Sequence, residues 1–166
     1  YKALDISENV LNYKDVVANK IVFCEGFGLK ENPFFNYLPL NGTKGETITI
    51  HAPDLKLESL LKSSVFVLPL GNDLYKVGAT FNREDKTSLI TEDGRIELEE
   101  KLQKVISVPY KITEQAAGIR PTVIDRRPLV GVHPTYENMA VLNGLGTRGV
   151  MIAPTVAKQL LDYLER

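Results

Sequence analysis

Apolar and polar positions repeat with a strand period, then a helix period, then a strand period again before a final helix. Near the start, KALDI, VLNY and KIVFC (20–24) predict strands, and KIVFC is apolar enough throughout to be a buried one. The turn Glu25-Gly26-Phe27-Gly28 ends it, and ENPFFNYLPLNG (31–42) reads as a loop. Lys44-Gly45 leads into ETITIHA (46–52), whose residues alternate as a half-buried strand requires. SVFVLPL (64–70) and LYKVGAT (74–80) flank Gly71-Asn72-Asp73, which predicts a hairpin. From Arg95 the period lengthens: Ile96, Leu98, Leu102, Val105 and Ile106 fall on one stripe of a helix. Glu99 and Glu100, being adjacent, point in different directions on it and read as a solvated face.

PYKITEQAAGI (109–119) is extended, and Pro121 holds Arg120 extended as well. Asp125 and Pro128 bracket a turn before PLVGV, and MAVLN (139–143) is the last strand. The final helix contains Pro154, which cannot donate a backbone hydrogen bond. Only the first four N–H groups of a helix lack an intrahelical partner, so this helix is expected to begin near Met151. Its buried stripe would be Met151, Ile152, Thr155, Val156, Leu160, Tyr163 and Leu164.

Composition narrows the class. With 43% hydrophobic and 25% charged residues over 166 positions, the chain reads as an ordinary globular protein with a real core. A net charge of −1 gives no footprint for nucleic acid or an acidic membrane surface. No apolar run reaches the roughly 20 residues of a membrane helix. The single cysteine, Cys24, excludes an internal disulfide and a cysteine-built metal site. It fits a reducing, cytoplasmic location, and its apolar neighbours predict a buried structural thiol. His51 and His133 have no partners at metal or triad spacing, so no metal site is expected. Opening at Tyr1, without methionine or targeting signature, the sequence reads as part of a longer chain.

The candidate chemistry lies in NGLGTRGVMIAP (143–154), where Gly144, Gly146 and Gly149 form G-x-G-x-x-G between a strand and a helix. A dinucleotide fingerprint also needs a second parallel strand and an acidic residue about 20 positions on. Only 17 residues follow Gly149, and the helix occupies them. Two readings stay open. The glycines let a bulky planar ligand approach the backbone beside a helix N-terminus suited to an anion. Alternatively, they serve a tight strand–helix connection.

Further residues carry a resemblance. AAGIRPTVIDRRPLVGVHP (116–134) and NGLGTRGVMIAP resemble the end of FAD-dependent amine and amino-acid oxidases, the D-amino-acid oxidase, glycine oxidase and sarcosine oxidase family. VVANKIVFCEGFG, LNGTKGETITI and LYKVGATFNRED resemble further family segments, in the same order. The resemblance implies an α+β fold: an antiparallel sheet with a helix as substrate domain, plus the C-terminal strand–helix part of a Rossmann-like FAD domain. It places residues 1–30 in the tail of the FAD domain, 31–117 in the substrate domain and 118–166 in the return to the FAD domain.

The implied cofactor is FAD. Ala117 occupies the neighbourhood of the cysteine to which sarcosine oxidases tether it, so the attachment would be non-covalent. Gly144, Leu145, Gly146, Thr147, Arg148, Gly149, Val150 and Met151 would lie along the pyrimidine edge of the flavin. The helix N-terminus would then face the charge of the reduced ring. Family members often carry histidine after the first glycine and arginine two further on; here that arginine is displaced to Arg148. Arg120 would fork onto the substrate carboxylate. Lys76 matches a strand lysine held to promote reaction of oxygen with reduced flavin.

The implied reaction is hydride transfer from the C–N carbon of a small amine or amino acid to FAD, with reoxidation by oxygen. The sequence as given would supply one wall of the cofactor site and be inactive alone. Rivals are a flavin dehydrogenase that feeds a carrier or modifies another nitrogen centre, and a non-catalytic module binding carboxylates or a protein.

Overall fold

The computed structural model describes residues 4–7 and 10–166. Four short strands come first: β1 (Leu4–Ser7), β2 (Val10–Tyr13), β3 (Val16–Ala18) and β4 (Ile21–Phe23). After a 3₁₀ turn at Gly26–Glu31 come β5 (Leu40–His51), β6 (Leu61–Lys62), β7 (Phe66–Gly71), β8 (Leu74–Gly78) and helix α1 (Glu92–Leu102). The chain closes with β9 (Lys111–Val123), β10 (Leu129–Val132), β11 (Met139–Asn143), a 3₁₀ turn at Gly146–Arg148 and helix α2 (Gly149–Leu164). The result is α+β with mainly antiparallel pairing. The first two residues of KALDI lie outside the described residues.

Two compact units emerge. One combines residues 1–42 with 120–166; the other is Thr43–Ile119. The loop segment 31–42 belongs with the first because Phe35 and Leu40 are buried with Phe23, Leu29, Met139 and Val141 in one core.

In the first unit, β1, β2 and β3 form an antiparallel meander, and a second sheet has the order β10-β11-β4. β11 pairs antiparallel with β10 and parallel with β4, Val141 opposite Phe23. β4 is less covered than its apolar run predicts: Phe23 is buried, but Val22 is 39% exposed and Cys24 is also exposed. Among the described residues β4 is the outer strand of this sheet, so one side of the run lacks cover. The buried-thiol expectation for Cys24 is therefore overturned. Its thiol is pushed up by partial desolvation and by the charge of Glu25, which disfavours the nucleophilic thiolate.

The second unit is a five-stranded sheet, β6-β7-β8-β5-β9, with α1 against one face. β7 and β8 turn through Asn72 and Asp73, at φ 52° and 58°, the left-handed pair that a tight two-residue hairpin requires. Ile48, Ile50, Val67, Tyr75 and Val77 pack beneath Leu98 and Leu102. α1 begins three residues before Arg95 because Thr91 caps it, its hydroxyl accepting from the Gly94 amide at 3.0 Å. Leu98 and Leu102 are buried as the stripe predicts, whereas Ile96 is 44% exposed.

The N-terminal part of β5 was not foreseen as strand. There Lys44, 2% exposed, pairs through its backbone with Asn82 and places its ammonium 2.6 Å from Asp85 and 3.6 Å from Glu46. Glu46 accepts from the Thr91 amide at 2.9 Å, the Thr91 hydroxyl at 2.7 Å and Gln115 at 2.8 Å. Burial opposes its ionisation, but these bonds and Lys44 outweigh it and lower its pKa. A Cβ at Gly94 would meet that carboxylate at 2.7 Å, so a side chain there would push Glu46 out of its bonded position. This network joins the start of β5 to the loop and helix that follow β8.

Candidate functional site

The strand–turn–helix that carries the glycines is built from Asn143 outward. β11 ends at this residue, 3% exposed, whose amide donates to the Gly26 carbonyl at 2.9 Å and accepts from the Gly144 amide at 2.8 Å. One side chain thus ties the turn after β11 to the turn after β4. Gly144 follows at φ +68°, where a Cβ would lie 2.7 Å from Val123 Cγ2 and 2.9 Å from Leu129 Cγ. A side chain has no room there, as a tight strand–helix connection requires. Gly146 differs: at φ +58° it has only Thr122 Cγ2 near, at 3.7 Å. The 3₁₀ turn Gly146–Arg148 then delivers the chain into α2.

Among the described residues no side chain caps α2. It begins at Gly149, two residues before the expected Met151, which puts Pro154 inside the helix. Pro154 offers no amide to the Val150 carbonyl, and Val150 itself is 96% exposed. The predicted buried stripe is corrected. Leu160 is buried and Ile152, Val156 and Leu164 are half-buried, while Thr155 is exposed, as are Met151 at 81% and Tyr163 at 60%. Spacing of four turns one narrow face to β10 and β11, and the other apolar positions face outward.

Arg120 lies on β9, two residues before Thr122, and is half-buried. Desolvation lowers its pKa, so an anionic partner would strengthen its charged form. The segment carrying it runs beside the glycine turn: Val123 packs at Gly144, Thr122 at Gly146, and Arg148 Nη2 donates to the Arg126 carbonyl at 3.3 Å. Lys76 lies in the other unit, half-buried on β8 between Thr49 of β5 and Leu68 of β7. It points away from the face where Tyr75 and Val77 are buried, and no carboxylate pairs with it among the described residues. His133 packs edge-on to Phe35 and accepts the amides of Thr135 and Tyr136 at 3.1 Å, a structural role. No group of three or more metal-binding side chains occurs among the described residues, and no helix is long and apolar enough to cross a membrane.

An uncapped helix start, an unobstructed Gly146 and exposed Val150 and Met151 together fit a planar, partly anionic ligand. Comparison with known proteins supplies the family. Residues 3–163 match the FAD dependent oxidoreductase family, DAO. The chain belongs to this family. FAD is the cofactor of its members.

Glycine oxidase of Bacillus subtilis is 26% identical over 157 residues, covering 90% of this chain and 42% of that protein. The tRNA 5-methylaminomethyl-2-thiouridine biosynthesis bifunctional protein MnmC of Idiomarina loihiensis is 27% identical over 135 residues, 78% of this chain and 22% of its own length. The solved glycine oxidase of Bacillus cereus superposes with a TM-score of 0.75 at 16% identity, covering 98% of this chain and 47% of that one. The chain thus spans less than half the length of each of these relatives, and the last likeness is one of fold.

Asn143 and the Lys44–Glu46–Asp85 network went unnoticed in the sequence. The Asn-Gly step at a strand end and the K-G-E run were the available signals.

Proposed function

We propose that this chain supplies the substrate domain and the flavin-facing turn of an FAD-dependent oxidoreductase acting on the C–N bond of a small amine or amino acid. The observation that carries this reading is the Asn143–Gly144 turn into an uncapped α2, in a chain that belongs to a flavin family. On this reading Gly144, Leu145, Gly146, Thr147, Arg148, Gly149, Val150 and Met151 hold FAD non-covalently. The cofactor supplies an acceptor for the hydride leaving the carbon that bears nitrogen.

The chain's own residues set the geometry for that transfer. The Arg120 guanidinium forks onto the substrate carboxylate and fixes the α-hydrogen toward the acceptor, converting binding into orientation. The first-turn amides of α2, which no side chain caps, stabilise negative charge as it develops. Lys76, which pairs with no carboxylate among the described residues, takes by the family resemblance the part of a cation offered to oxygen as that oxygen is reduced. The amine loses hydride as a neutral species, so no protein base is needed, and water hydrolyses the imine product.

The test uses the whole protein that carries this chain, purified without added cofactor. Glycine, sarcosine and a panel of D-amino acids are added without oxygen while the visible spectrum is followed. Bleaching of a bound flavin by one of them supports the reading and names the substrate class. A colourless protein that takes up no added FAD would sink it and leave the carboxylate- or protein-binding module.

A further inference from the structure

Thr122 is engaged at both branches of its side chain, and the mechanism above gives it no part. Its hydroxyl donates to the Asn41 carbonyl at 2.7 Å, joining β9 to the start of β5. Its methyl, Cγ2, lies 3.7 Å from where a Cβ at Gly146 would stand. Apart from the residues flanking that glycine, no other described atom comes within 4 Å of the same point. Both contacts fall within the first unit, residues 1–42 and 120–166.

A threonine side chain branches at Cβ, so one torsion, χ1, places both branches. Holding Oγ1 at Asn41 therefore fixes Cγ2 at Gly146. The rest of the segment follows the glycine turn in step: Val123 packs at Gly144, and the Arg126 carbonyl accepts from Arg148. Thr122 also stands two residues after Arg120, and alternation along β9 sends both side chains to the same side of the strand. Two strand residues separate their Cα atoms by roughly 6.5 Å. The bond to β5 thus holds the strand that presents Arg120, while the methyl bounds the space that the second glycine leaves open. We infer that Thr122 is a positioning residue with two separable roles. Its hydroxyl keeps Arg120 in place for the substrate carboxylate, and its methyl sets how the flavin ring seats against Gly146. This rests on the flavin and substrate placement proposed above.

The test uses the whole protein that carries this chain. FAD affinity is measured by titrating the cofactor-free protein. Acetate is the carboxylate probe, added to the FAD-saturated protein in a calorimeter, and the urea midpoint is recorded for each variant. Thr122→Ser keeps the hydroxyl and loses the methyl. It should bind FAD about three- to fivefold more weakly, as one lost methyl contact implies, and acetate within about twofold of wild type. Thr122→Val keeps a methyl and loses the hydroxyl. It should bind acetate about three- to tenfold more weakly, as one lost hydrogen bond implies, and FAD within about twofold of wild type. Thr122→Ala should show both losses. A threonine that only supports the fold would weaken both ligands together, in proportion to the fall in urea midpoint. That result, or wild-type affinities for both ligands in both variants, overturns the inference while leaving the proposed function standing. Wild-type protein that takes up no FAD, or that binds acetate no better than Arg120→Lys does, removes the proposed function and this inference with it.

Discussion

The three glycines of the turn make a graded series that separates packing from ligand binding. At Gly144 an alanine must hold φ +68° and place its Cβ 2.7 Å from Val123 Cγ2, 2.9 Å from Leu129 Cγ and 3.1 Å from the Leu129 amide nitrogen. The left-handed conformation costs roughly 1–2 kcal/mol, and overpacking against a backbone atom that cannot retreat adds about 1–3 kcal/mol. Gly144→Ala should therefore lose about 2–5 kcal/mol. Gly146→Ala meets nothing closer than 3.7 Å, and only its φ of +58° is at stake. It should lose roughly 1–2 kcal/mol. Gly149 is already helical at φ −51°, with Leu145 Cβ at 3.4 Å, so its alanine variant should be nearly neutral.

Urea unfolding followed by far-UV circular dichroism reads the series. At a slope of about 2 kcal/mol per molar, the Gly144 variant should unfold about 1–2.5 M earlier than wild type. If Gly144→Ala proves no worse than Gly146→Ala, the packing argument is refuted. FAD affinity on the same proteins gives the complementary answer. A Gly146→Ala variant that loses flavin binding out of proportion to stability marks a backbone that a ligand approaches.

Thr91→Ala removes both the cap of α1 and a donor to Glu46, and should cost about 1–2 kcal/mol in thermal or urea unfolding, with Thr91→Ser restoring most of it. Asp85 is held at about 2, against an ordinary 3.8, by the Lys44 ammonium and by the Thr87 amide and hydroxyl. Its contribution is complete above pH 3.8 and is lost as pH falls through about 2, so Asp85→Asn should flatten the stability profile across that window. Arg120→Lys keeps the charge but loses the fork. It should raise KM for carboxylate-bearing amines about tenfold to a hundredfold, as loss of a charge-assisted hydrogen bond of roughly 1.5–3 kcal/mol implies, and leave amines without a carboxylate unaffected.

What was legible in the sequence is what period and local chemistry encode. Alternation in ETITIHA located the C-terminal half of β5, and Gly71-Asn72-Asp73 its hairpin partner's turn, because both signals are complete within a few residues. The helix starts were displaced by two or three residues, since a cap such as Thr91 shows itself only when its hydroxyl is aimed at Gly94. Burial was read least well where cover depends on distant segments. Val22 and Cys24 in KIVFC, and Met151 and Tyr163 on α2, read as apolar in the sequence yet are exposed, because no described element lies over them. The buried Lys44 is the reverse case: a lysine ordinarily reads as surface, and it can be interior only because Asp85, 41 positions away, accepts its ammonium.

The same limit explains the ambiguity of G-x-G-x-x-G. The spacing alone does not distinguish a glycine that packs from one that is approached. In this fold Val123 and Leu129 fill the space at Gly144, whereas only Thr122 Cγ2, at 3.7 Å, comes near Gly146. One motif therefore serves two ends: its first glycine joins β11 to the core, and that rigid joint positions the second glycine and the open start of α2. A site anchored in this way can present backbone amides without a capping side chain, because Asn143, buried and bonded on both sides, fixes where the turn begins.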